Sequence, residues 1–87
     1  MPRFMITRSL PELTSEQLEG VRLRSTQVCN DLAITWVRSH LTADGKHSFC
    51  EYDAPSEEAV REHSRMSGIP YDEIVPLGLE LGPSWAV

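Results

Sequence analysis

Three histidines, two cysteines and a handful of carboxylates carry whatever chemistry this chain of 87 residues can perform. His63 recurs with Ala59 or Val60 and with Met66 at helical spacing, which sets it on the inward seam of a helix. That seam faces a strand bearing Cys50 and Tyr52. Imidazole, thiolate and phenol in one pocket suit a soft or borderline metal such as nickel or copper. They equally suit proton transfer, with His63 as acid–base group and Tyr52 orienting or protonating a bound molecule. The plainest alternative is a buried histidine hydrogen-bonded to Tyr52 or to a backbone carbonyl. A second group, His40, Arg38 and Glu51, falls on the opposite sheet face. His40 with Glu51 is an imidazole–carboxylate set of the kind nickel accepts, and a two-fold axis would double it. Arg38 opposite Glu51 reads first as a cross-strand ion pair. His47, next to Asp44, is either a weak surface metal site or part of a solvated turn. Cys50 becomes reactive only if a positive group lowers its pKa, and no basic residue adjoins it in sequence. Cys29 reads as core, as do Met5 and Met66.

These groups are positioned by six elements. Phe4–Arg8 is short, apolar and β-rich, a first strand. Thr14-x-x-Gln17 has the form of a capping box. From there Leu18, Val21, Ser25, Val28, Cys29 and Leu32 recur as one buried stripe of a helix running to about Asp31. Thr35–Leu41 and Lys46–Asp53 are strands joined by the Asp44-Gly45 turn signal. A turn centred on that dipeptide, taken as a two-residue loop, sets His40 opposite Phe49 and Arg38 opposite Glu51, with Trp36 and Phe49 on one face. Ser56 caps a second helix to about Ser67, with Glu57 and Glu58 in its first turn and Gly68 at the left-handed stop before Pro70. Ile74–Leu81 is a last strand, and its Pro76 marks an edge. Gly82–Val87 reads as a loose terminus, although it carries Trp85.

The order strand–helix–strand–strand–helix–strand predicts one α+β domain, residues 1–87, of ferredoxin-like type: a four-stranded antiparallel sheet with two helices on one face. Its other face needs its own cover or must be polar, and two aromatics exposed there point to a homodimer packed sheet on sheet, a dimeric α+β barrel.

Composition excludes several classes. The net charge of −5 argues against nucleic acid, which demands a basic face. Two cysteines make neither a disulfide framework nor a zinc cluster, so a reducing cytoplasm is the expected compartment. No apolar run resembles a signal peptide or reaches the length of a membrane span. There is no His-x-x-x-His, phosphate loop, Ser-His-Asp set or paired-cysteine knuckle.

The stretch Cys50-Glu51-Tyr52-Asp53-Ala54-Pro55-Ser56-Glu57-Glu58-Ala59-Val60-Arg61-Glu62-His63, followed by Ser67-Gly68-Ile69-Pro70, resembles the signature of small bacterial proteins grouped as domain of unknown function 4242. Trp36-Val37-Arg38-Ser39-His40 is similar to that family's Trp-x-x-Ser-aromatic strand, and Pro2-Arg3-Phe4 and Ile6-Thr7-Arg8 match its opening. The resemblance runs from Pro2 to about Val75. It implies nickel binding, a ferredoxin-like fold and a dimeric state. Where the family more often has tyrosine, this chain has His40, which adds an imidazole.

Two functions from different classes follow. One is a cytoplasmic nickel-binding homodimer with candidate ligands His40, Glu51, Cys50 and His63, which cannot all share one site. The other is a small enzyme, an isomerase, cyclase or oxygenase, that holds an apolar ligand between sheet and helices with His63 and Tyr52 as its working pair; this second reading argues from fold alone. Trp36, Arg38 and Ser39 are the candidate ligand-binding residues. A pure interaction module is the third possibility.

Overall fold

The computed structural model describes residues 1–84, so the expectations for Trp85 and the last residues lie outside the described part of the chain. Its elements are β1 (Arg3–Ser9), α1 (Ser15–Asp31), β2 (Thr35–Leu41), β3 (His47–Asp53), α2 (Glu57–Ser67) and β4 (Glu73–Leu77). The sheet order is β2-β3-β1-β4, antiparallel throughout. This is the ferredoxin-like α+β fold.

Local chemistry accounts for the helix ends. Thr14 Oγ1 accepts from Gln17 N at 3.1 Å, and Thr14 N donates to Gln17 Oε1 at 2.9 Å. This reciprocal pair satisfies two otherwise orphaned donors. Ser56 Oγ accepts from Ala59 N at 3.1 Å, and α2 stops at Gly68, which takes φ 72° and donates to Ser64 O at 3.0 Å. A left-handed residue there without a Cβ carries no steric cost.

The sheet has two unlike faces because its side chains alternate. The face under the helices carries Phe4, Ile6 and Arg8 of β1 and Ser48, Cys50 and Tyr52 of β3, all buried. Val28, Cys29, Val60, Ile34 and Ala54 close over them. The uncovered face carries Met5 and Thr7 of β1, Phe49 and Glu51 of β3, and Val75 and Leu77 of β4 in register.

The hairpin register is the expected one: His40 pairs with Phe49 and Arg38 with Glu51. The loop is longer than two residues, since Thr42 N still donates to His47 O at 2.9 Å. It is centred on the same point, so the pairing is unchanged. Trp36 departs from expectation. An extra residue, Val37, interrupts the pairing, so Trp36 lies opposite Tyr52 rather than Asp53. A one-residue bulge moves every side chain beyond it to the other face. Trp36 therefore leaves the Phe49 face and stands edge-on to Tyr52, ring centroids 6.4 Å apart at 89°. Two further expectations are corrected. Met66 is 43% exposed, and Ser64 and Ser67 take the buried seam beside His63. β4 ends at Leu77, and Leu79 and Leu81 beyond it are exposed.

Deleting Val37 removes the extra residue and leaves Trp36 opposite Tyr52, because Arg38 still pairs with Glu51. In a Trp85→Phe background, the fluorescence of Trp36 is expected to stay at its wild-type wavelength; a shift to the red would mean that the bulge itself is what turns the indole inward.

Candidate functional site

Ser25 is the one hydroxyl among the three buried residues of α1. Its Oγ lies 3.0 Å from His63 Nε2 and 3.3 Å from Tyr52 Oη, so one side chain of α1 joins the inward side chain of α2 to that of β3. The Tyr52 and His63 rings lie 5.1 Å apart. His63 is fully buried, and its Nδ1 has no hydrogen-bond partner. A buried unpaired acceptor is tolerated better than a buried unpaired donor. The bonding pattern therefore puts the proton on Nε2, donating to Ser25, and leaves Nδ1 as a lone pair. Burial and then the nearby charge of Arg8 hold the His63 pKa down at about 4, against 6.5 for a free imidazole. Burial likewise pushes the Tyr52 phenol and the Cys29 thiol up.

Beside this cluster, a cavity of about 420 Å³ opens between the N-terminal half of α1 and the β2–β3 half of the sheet. Leu13, Leu18 and Val21 form one wall, Trp36 and Cys50 the other, and Arg8 is part of the lining. The volume lies within the range of small-molecule pockets. Ser25 and Tyr52 reach the cavity, whereas His63 does not line it.

On the helix-free face, Arg3 binds Asp53 through Nε at 2.8 Å and lies 3.6 Å from Glu51. Arg38 lies 3.4 Å from Glu51. The bond from Arg3 holds the Asp53 carboxyl below its usual range.

Each candidate from the sequence can now be placed. His63 and Tyr52 come together, through Ser25. Cys50 lies on the same inner face and lines the cavity, its Sγ 3.8 Å from Ser48 Oγ. His40 is exposed on the outer face, one strand away from Glu51, whose carboxylate already faces two arginines. Trp36 and Ser39 line the cavity and are joined by a 2.8 Å hydrogen bond from Trp36 Nε1 to Ser39 Oγ. Arg38 also belongs to its lining, at the edge of the sheet. Among the described residues, no group of three or more His, Cys, Asp or Glu side chains converges on one point. No helix there is long and apolar enough to cross a membrane.

Sequence reasoning missed Arg8 and the linking role of Ser25. Both left a signal. Arg8 follows Phe4 and Ile6 at period two, and Ser25 interrupts an otherwise apolar helical stripe.

The family model described as "Nickel responsive protein SCO4226-like" matches residues 4–77. Among solved structures, the chain is similar to one titled "Crystal structure analysis of SCO4226 from Streptomyces coelicolor A3(2)", at 24% identity and a TM-score of 0.79, covering 91% of this chain and 99% of that one. That likeness shows the fold. No curated protein matches.

The depressed His63 pKa fixes the sign of a pH effect. Between about 4 and 6.5 the unfolded chain binds a proton that the folded chain does not. The stabilisation is complete above about pH 6.5 and is lost as pH falls toward 4. The interval corresponds to roughly 3 kcal/mol. In urea unfolding at pH 7 and pH 4.5, wild type is expected to lose more stability than His63→Gln. Equal losses would mean that His63 is not the titrating group.

Proposed function

The chain belongs to the nickel-responsive SCO4226-like family, and on that premise we propose that it binds nickel as a homodimer, with His40 as the leading ligand on the helix-free face of the sheet. The observation that carries this reading is the contrast between the histidines. His63 is sealed and hydrogen-bonded inside, whereas His40 is exposed on a face that no helix covers. The register puts His47 on the same face, one diagonal step from His40 across the β2–β3 pair. Imidazole with carboxylate is a donor set that nickel accepts.

Among the described residues, no complete ligand set is gathered within one chain. A second copy of the same face supplies the remainder in a two-fold arrangement. The apolar residues on that face support the pairing. Phe49 is 43% exposed and Leu77 38% exposed, with half-buried Met5 on the intervening β1 and half-buried Val75 opposite it on β4. A contiguous apolar patch rimmed by ions is the usual mark of an association surface. Glu51 serves as a ligand only by giving up Arg38 or Arg3, so it ranks behind His40. We place the protein in the cytoplasm, where two unpaired thiols such as Cys29 and Cys50 persist.

Nickel titration of tag-free protein by calorimetry tests the ligand assignment. Wild type is expected to bind with micromolar affinity, His40→Ala to lose the site, His47→Ala to weaken it, and His63→Ala to keep its stoichiometry. A silent wild-type titration, or loss only in His63→Ala, overturns the assignment. Light scattering tests the pairing: wild type is expected at twice the chain mass and Phe49→Glu at the single-chain mass.

A further inference from the structure

Arg8 is 3% exposed, and its guanidinium remains charged at any physiological pH. Its bonded partners are all neutral. Nη1 donates to Pro70 O at 2.8 Å and Ile69 O at 3.1 Å, and lies 3.5 Å from Ser64 Oγ. Nη2 has no acceptor. Among the described residues, no carboxylate lies within ion-pair distance of it. Buried charges are ordinarily paired, because their desolvation is otherwise uncompensated.

This unpaired cation stands in the lining of the cavity between α1 and the sheet. The charged residues in that lining are Arg8, Arg22 and Arg38, with no aspartate or glutamate among them, in a chain where acids outnumber lysine and arginine thirteen to eight. Arg22 and Arg38 are already engaged by Glu19 and Glu51 at the surface. Arg8 alone of the three is buried and has no carboxylate partner. The remaining wall is mostly aliphatic or aromatic: Leu13, Leu18, Val21 and Trp36.

We infer that this cavity binds a small apolar carboxylate, its acid group on the Arg8 guanidinium and its hydrocarbon part between α1 and Trp36. A carboxylate matches the planar donor fork of arginine, and an apolar body with one fixed polar anchor is what such a cavity holds. The site lies on the opposite face of the sheet from His40 and needs no metal.

Calorimetry on the full, metal-free chain with octanoate and 1-octanol separates the two halves of this inference. Octanoate is expected to bind saturably, one per chain, and 1-octanol at least about tenfold more weakly, the worth of one charge-assisted bond. Arg8→Gln should reduce octanoate to the level of the alcohol. Val21→Trp, which fills the cavity without touching Arg8, should abolish both while leaving nickel titration unchanged. The nickel readout keeps a failure here separate from a failure of the metal assignment. Absence of saturable octanoate binding, equal affinity for acid and alcohol in wild type, or undiminished binding in folded Val21→Trp overturns the site.

Discussion

Two hydrogen bonds from a single serine decide how the helices sit on this sheet. Ser25 bonds His63 of α2 and Tyr52 of β3 from the middle of the buried stripe of α1. Buried polar groups are costly when unpaired, so the three side chains constrain one another: moving either helix would strand at least one of them. Tyr52 is held in place for Trp36 to stand edge-on against it. The imidazole of His63 is held neutral, because a proton on it would be buried close to the charge of Arg8. The cavity lies beside this cluster and shares Ser25 and Tyr52 with it, with α1 on one side and β2 and β3 on the other.

Strand periodicity then separates the chemistry into two compartments. In β1, Phe4, Ile6 and Arg8 face inward while Arg3, Met5 and Thr7 face outward. In β3, Cys50 and Tyr52 face inward while Phe49 and Glu51 face outward. A pairing that looks close in sequence, such as Cys50 beside Glu51, is therefore split by the full thickness of the sheet. Thiol, phenol and imidazole share a sealed interior with a guanidinium. The exposed imidazoles share the open face with ion pairs and apolar side chains.

Much of this was legible because it is local. The capping box at Thr14 and the Gly68-Ile69-Pro70 stop are decided within a few residues, and both stand where the sequence puts them. The hairpin register survived an incorrect loop length because only the centre of the turn sets the pairing. The bulge at Val37 was not legible. Trp-Val-Arg-Ser alternates as well with the extra residue as without it, and what favours the bulge is a remote partner, Tyr52, that accepts the indole. The burial of Met66 failed for a related reason. Helical spacing fits a seam through residues 59, 63 and 66 or one through 60, 63 and 67, and the packing of α2 in the fold chose the second, smaller set. The cavity depends on the distance between α1 and β2, which no periodicity encodes.

The metal and ligand surfaces make opposite demands on a second copy of the chain. The cavity is walled by one chain alone, so its occupancy follows ligand concentration. The helix-free face offers His40 and His47 from each chain, too few donors to complete a nickel site without help. On the proposed reading, the ion becomes part of the interface, and binding it is linked by mass action to association. The apolar strip of Met5, Phe49, Val75 and Leu77 contributes the non-specific part of that association. Pressing it against a copy also withdraws the Arg3, Asp53 and Glu51 ion pairs from water, a cost that offsets much of the gain. On the proposed pairing, that offset leaves the interface weak enough for two added metal bonds per chain to matter. This is the physical sense in which a surface with too few ligands of its own can still respond to nickel.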